Sequence, residues 1–138
     1  MSKVTHVLVV EDDEAVRRGL VRRLRKEIEK RGGLPVDLIE ADCAEKAFDR
    51  ILSNPGDPWF ILTDNNLFQT VGAVQTGLEF LRLVRENIPR IRSFRILTSG
   101  DAMDTPHLRE RFGVDVFLQK PCDIIDVADL LVAFLASD

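Results

Sequence analysis

The chain has 138 residues, of which 45% are hydrophobic and 30% charged, with a formal net charge of -4 and a pI near 5.2. That length supports one domain with a real core and is too short for a second full-sized module, and the composition excludes disordered, fibrous and membrane chains. No apolar run approaches the roughly 20 residues of a membrane-spanning helix. The acidic balance argues against a nucleic-acid surface, and Met1 to Thr5 lack a leader pattern, so a cytoplasmic protein is expected. Cys43, Cys122, His6 and His107 show no metal-ligand spacing. They are read, with Trp59, as structural.

Val7 to Val10 form a short, continuous apolar run rich in β-branched residues and end in Glu11-Asp12-Asp13, as a strand buried on both faces would. From Glu14 the pattern becomes helical, with Val16, Leu20, Leu24 and Ile28 four apart and arginines between, until Gly32-Gly33 stops it. Val36 to Ala41 predict a second strand. Ala44, Ala47, Phe48, Ile51 and Leu52 predict a second helix, which ends at Asn54-Pro55-Gly56-Asp57-Pro58. Trp59 to Thr63 are a third strand ending on Asp64, and Asn65 to Gln75 read as a loop, long for a strand-to-helix connection. Leu78, Leu81 and Val84 start a third helix that Pro89 ends, and Phe94 to Leu97 predict a fourth strand ending in Thr98-Ser99-Gly100. A shorter helix follows Pro106, Val114 to Leu118 predict a fifth strand ending at Lys120-Pro121, and Ile124 to Leu135 predict the last helix.

Five strand–helix alternations predict a parallel sheet with helices on both faces, because each right-handed crossover must cover the sheet. In such sheets the functional groups gather outside the carboxyl ends of the strands. Glu11, Asp12, Asp13, Asp64, Thr98, Ser99 and Lys120 all fall on that edge.

Carboxylates converging at one edge repel one another unless a cation joins them. Mg²⁺ fits, since it takes one or two carboxylates and keeps its other positions for water, carbonyls and phosphoryl oxygens. Asp12 and Asp64 are the expected carboxylate ligands, with Glu11 acting through water; the bland alternative is an N-capping Asp13 among exposed neighbours. A carboxylate can also attack a phosphoryl group when metal and cations neutralise the transferred charge. Asp64 would attack, with Mg²⁺, Lys120 and a hydroxyl of the fourth strand holding phosphoryl oxygens. Taken singly, Lys120 reads as a surface lysine and Ser99 as a turn residue.

VLVVEDD (7–13), LTDNN (62–66), LTSG (97–100) and FLQKP (117–121), in this order and spread over nearly the whole chain, resemble the receiver domain of bacterial two-component response regulators. The resemblance implies a doubly wound, flavodoxin-like α/β fold with five parallel strands in the order 2-1-3-4-5. It implies Asp64 as phosphoacceptor, Glu11 and Asp12 as the acidic pair, and Asn66 as donor of a backbone carbonyl to the metal. Lys120 becomes the lysine before a proline, on a turn that implies a cis Lys120–Pro121 bond. Thr98 and Ser99 are both candidates for the switch hydroxyl; the small Gly100 behind Ser99 favours Ser99. Phe117 resembles the aromatic whose rotamer follows that hydroxyl, and packing alone also accounts for a strand aromatic there. Two departures stand out: Leu67-Phe68-Gln69 replaces a region where receivers commonly carry proline, and Gly77-Leu78-Glu79 arrives after an enlarged loop.

The resemblance implies signalling through a phosphorelay by a stand-alone receiver over residues 1–138 without an output domain. It would take its phosphoryl group from a histidine kinase or phosphotransfer protein, switch a protein partner, and turn over no external substrate. Asn66 and Asp101, small and polar beside the path of an attacking water, imply a short-lived phosphoryl state. Arg17, Arg18, Arg22, Arg23, Arg25, Lys26, Lys30 and Arg31 outweigh Glu14, Glu27 and Glu29 on the first helix, either as a solvated face or as a docking surface for an acidic partner. Two other functions compete. A phosphorylation-independent, degenerate receiver would keep the fold alone, and a haloacid-dehalogenase-type phosphohydrolase would need a second aspartate where Asn66 stands.

Overall fold

The computed structural model describes residues 3–68, 72–101 and 104–137. Strands and helices alternate as β1 (Thr5–Val10), α1 (Glu14–Lys30), β2 (Val36–Ala41), α2 (Ala44–Ser53), β3 (Trp59–Asp64), α3 (Gly77–Asn87), β4 (Ser93–Ser99), α4 (Pro106–Phe112), β5 (Val116–Gln119) and α5 (Ile124–Ala136). All strand pairs are parallel and the sheet runs β2-β1-β3-β4-β5, a flavodoxin-like order. Among the described residues no helix is long and apolar enough to cross a membrane.

β1 and β3 are buried at every position because helices cover both sides of the sheet. Alternation sends Leu8, Val10 and Ile61 toward Ala47, Ile51, Phe80 and Leu81 of α2 and α3. Val7, Phe60, Leu62 and Ile96 pack on the other face with Leu24, Ile28, Val127, Leu131 and Phe134 of α1 and α5. At the end of the sheet opposite the acids, His6 faces Asp57 at 2.8 Å and Asp37 at 3.3 Å and lies against the Trp59 ring, the structural role expected of both.

The predicted α1 stripe needs one correction. Val16 is 47% exposed, and Val21 is buried with Leu24 and Ile28 instead. A strict four-residue repeat runs ahead of the helical turn by about 40° per step, so a row centred on Leu24 and Ile28 leaves the core two turns earlier. For the same kind of reason Phe134, rather than the half-exposed Val132, enters the core from α5. β5 begins at Val116, two residues later than the periodicity suggests, because Gly113 ends α4 in a left-handed turn (φ 69°) and the Val114 amide still donates to Arg109.

The stretch 65–75 is not structureless. Asn66 bridges Thr76 in antiparallel fashion, the Leu67 amide donates to the Gln75 carbonyl at 3.0 Å, and Leu67 is fully buried. The Val74 amide donates to Glu45 of α2 at 3.1 Å, which ties this short ladder to the helix layer. Residues 69–71, including Gln69, lie outside the described residues.

Candidate functional site

Backbone bonds between neighbouring strand ends bring the predicted residues together. The Glu11 amide donates to Ala41 of β2, Asn65 to Thr98, and Lys120 to Ser99, at 3.1, 2.9 and 2.8 Å, and Val10 of β1 pairs with Thr63 of β3, so the ends of β1, β3, β4 and β5 lie along one edge. Asp13 caps α1 by accepting from the Val16 amide at 3.0 Å, which turns the chain away directly after Asp12. The Lys120–Pro121 peptide is cis, as the resemblance implies.

A cleft of about 480 Å³ opens at this edge, and its walls include Glu11, Asp12, Asp64, Asn66, Ser99 and Lys120. Lys120 Nζ sits 2.9 Å from Asp64 Oδ1. Carboxylate oxygens of Glu11, Asp12 and Asp64 all lie within 4.8 Å of one another. Glu11 is 5% exposed and Asp64 8%. Burial pushes the Glu11 carboxyl up to about 8, helped by a hydrogen bond to Asp64 and by the Asp64 charge, and opposed by Lys120. Glu11 Oε2 is buried without a hydrogen-bond partner. A buried, unsatisfied carboxylate oxygen beside two further acids is the donor set a hard divalent cation takes, since the ion relieves both the repulsion and the missing contact.

The two hydroxyl candidates are both buried and take different partners. Thr98 donates to the Thr63 carbonyl at 3.4 Å and borders a mostly apolar cavity of about 380 Å³ that Glu11, Asp64 and Lys120 also line. Ser99 Oγ lies in the acidic cleft, where it accepts from the Asp101 amide at 3.1 Å. Phe117 is half-buried against the α2–α3 core, and a cavity of about 280 Å³ connects its neighbourhood to Ser99. The Arg109 guanidinium lies 5.9 Å over its ring and pairs with Asp104 at 2.6 Å.

Three further residues shape the site in ways the sequence reading does not assign to them. Arg17, counted in sequence among the solvated basic residues, turns inward; its Nη1 donates to the Glu11 carbonyl at 2.9 Å and its Nε pairs with Glu40 at 3.2 Å. Gly77 starts α3 hard against β3, where a methyl group would collide with the Asp64 carbonyl oxygen and with Leu97. Asn65 receives the Leu78 amide on its side chain at 3.3 Å and the Gly77 amide on its carbonyl at 2.9 Å. The usable signals are the position of Arg17 one turn past the cap and the Thr76-Gly77 pair opening a helix. Arg31 also leaves the open face, pairing with Asp129 at 2.8 Å.

The sequence matches no family model and no curated protein. Solved structures resemble the fold closely. A response regulator receiver domain protein from Clostridium thermocellum superimposes with a TM-score of 0.72 at 16% identity, covering 96% of this chain and 94% of that one. The signal receiver domain of an HD domain-containing protein from Pseudomonas fluorescens Pf-5 gives 0.70 at 22% identity over 98% and 89%. The chemotaxis response regulator CheY4 of Vibrio cholerae gives 0.67 at 18% identity over 95% and 98%. From the strand order and these likenesses, the chain has the fold of the CheY-like response regulator receiver domains.

Proposed function

We propose that the chain is a signalling receiver that accepts a phosphoryl group on Asp64 from a histidine kinase or phosphotransfer protein, and changes a surface that a downstream protein reads. The observation carrying this reading is the convergence of Asp64, the Lys120 ammonium 2.9 Å from it, and the Glu11 and Asp12 carboxylates in one cleft. Asp64 is the nucleophile: its oxygen forms the new bond to phosphorus while the bond to the donor breaks. Lys120 trades its contact with Asp64 for a phosphoryl oxygen, and the Ser99 hydroxyl, already in the cleft, receives another. Asp12, Asp64 and the Asn66 carbonyl would hold Mg²⁺, with Glu11 reaching it through water. Bound there, Mg²⁺ neutralises charge on the transferring group.

The added charge reorganises the Ser99 neighbourhood, and the cavity between Ser99 and Phe117 gives that aromatic a space to follow. Asn66 stands where a phosphohydrolase of the haloacid-dehalogenase type would need its general acid, so turnover of an external substrate is disfavoured. The exposed cations of α1, Arg22, Arg23, Arg25, Lys26 and Lys30, with Arg18 paired to Glu14 at 2.7 Å, suit an acidic kinase or phosphotransfer surface in a cytoplasmic relay. The test is intact mass after incubation with acetyl phosphate, with and without Mg²⁺. One added phosphoryl group that requires Mg²⁺ supports the reading. An unmodified mass would support a phosphorylation-independent binding module, and continuous release of phosphate from many phosphomonoesters would support a hydrolase.

A further inference from the structure

The acidic cleft has an unusual mouth. Phe68 is 59% exposed, the most exposed large hydrophobic residue among those described, and it lines the same cleft as Asp64. The chain leading into it is held: its amide donates to Asn66 Oδ1 at 3.1 Å, and the preceding Leu67 is fully buried and bonded to Gln75. Around it the wall carries Asp12, Asp13 and Asp101, so the mouth combines an aromatic face with negative charge. An exposed aromatic ring in that setting suits a flat, cationic ligand, because the ring face and the carboxylates attract the same charge.

We propose that Phe68 is a specificity-determining residue that recognises the imidazole ring of a phosphohistidine donor. The inference rests on Asp64 being the phosphoryl acceptor. In the donor, phosphorus is bonded to one ring nitrogen and the other nitrogen carries a proton, so the ring is cationic. An Asp64 oxygen bonds to phosphorus, the phosphorus–nitrogen bond breaks with its electron pair left on nitrogen, and the ring departs as neutral imidazole. Phe68 stacks on the cationic ring before transfer, and Asp13 and Asp101, which the metal does not use, stabilise its charge. An acyl phosphate gains neither contact, and its leaving group is a carboxylate that must pass those two aspartates.

The experiment compares phosphorylation rate constants for N-phosphoimidazole and acetyl phosphate at saturating Mg²⁺ in the parent and in Phe68→Ala, Phe68→Leu and Phe68→Tyr. The readout is the ratio of the two rate constants within each variant, which is insensitive to the fraction of folded protein. The ratio falls about two- to fivefold in the Ala and Leu variants, as expected for loss of an exposed cation–aromatic contact, and the Tyr variant retains it. A ratio unchanged in Phe68→Ala, or retained in Phe68→Leu, overturns the role of the aromatic ring while leaving Asp64 as acceptor. A parent that neither donor phosphorylates overturns the acceptor reading and this inference together.

Discussion

Replacing Glu11 with Gln tests the electrostatics of the site most sharply, because the change keeps the shape and removes the charge. In the folded chain the Glu11 carboxyl is held at about 8 against an ordinary 4.5, first by burial and then by the hydrogen bond and charge of Asp64. Between those two values the folded chain keeps a proton that the unfolded chain has released, so stability falls as pH rises through the window. The contribution is fully present below 4.5 and lost above about 8. A shift of that size corresponds to a ceiling of about 5 kcal/mol. The Gln variant carries no such proton, so without metal it unfolds at a higher temperature than the parent at pH 9 and at nearly the same temperature at pH 4.5. Mg²⁺ reverses the order at high pH, because ionised carboxylates are what it binds and binding stabilises the folded state. Thermal unfolding from pH 4.5 to 9, with Mg²⁺ or with chelator, measures all four limits. Parallel pH profiles for parent and variant in chelator would refute the assigned cause.

Gly77→Ala should destabilise the fold by about 1–3 kcal/mol and slow phosphorylation, because the new methyl group forces Asp64 and the start of α3 apart; denaturant unfolding and intact mass check the two effects. Ser99→Ala should weaken the change in surface that follows phosphorylation, whereas Thr98→Ala should leave that change in place while losing about 1 kcal/mol of stability with its hydrogen bond to Thr63. A switch that survives Ser99→Ala and is lost in Thr98→Ala would contradict the assignment of the two hydroxyls. Asn66→Leu should lengthen the phosphoryl lifetime by shielding the path of the attacking water, and phosphate release from parent and variant decides whether it does.

Sequence reading works here where one residue type carries one physical demand. Val7 to Val10 and Trp59 to Leu62 can be continuous apolar strands only if both faces are covered, and that burial fixes a parallel sheet and places Glu11 and Asp64 at one edge. The adjacent hydroxyls Thr98 and Ser99 both end β4, and the small Gly100 behind Ser99 is the one sequence feature that favours it; in the fold Thr98 bonds to the Thr63 carbonyl and Ser99 receives the Asp101 amide. Where the reading falls short, long-range geometry decides. Arg17 looks like every other arginine on α1 until β1 and β2 are placed beside it, and only then does it reach the Glu11 carbonyl and Glu40. The ladder linking Asn66, Leu67, Gln75 and Thr76 has no strand periodicity, since a single bridge and a bond to Glu45 hold it. Val16 belongs to the apolar repeat of α1 yet is exposed at the cleft, because a four-residue repeat drifts around the helix.

The most direct test of the account locates the phosphoryl group itself. The protein is phosphorylated with acetyl phosphate and Mg²⁺, reduced with borohydride to convert an aspartyl phosphate into homoserine, and mapped by peptide mass spectrometry. The account predicts homoserine at position 64 and no modification in Asp64→Asn, because Asp64 is the carboxylate that Lys120 and the acidic pair surround. Modification at Asp12, Asp13 or Asp101 in the parent, or a modified Asp64→Asn variant, would contradict it.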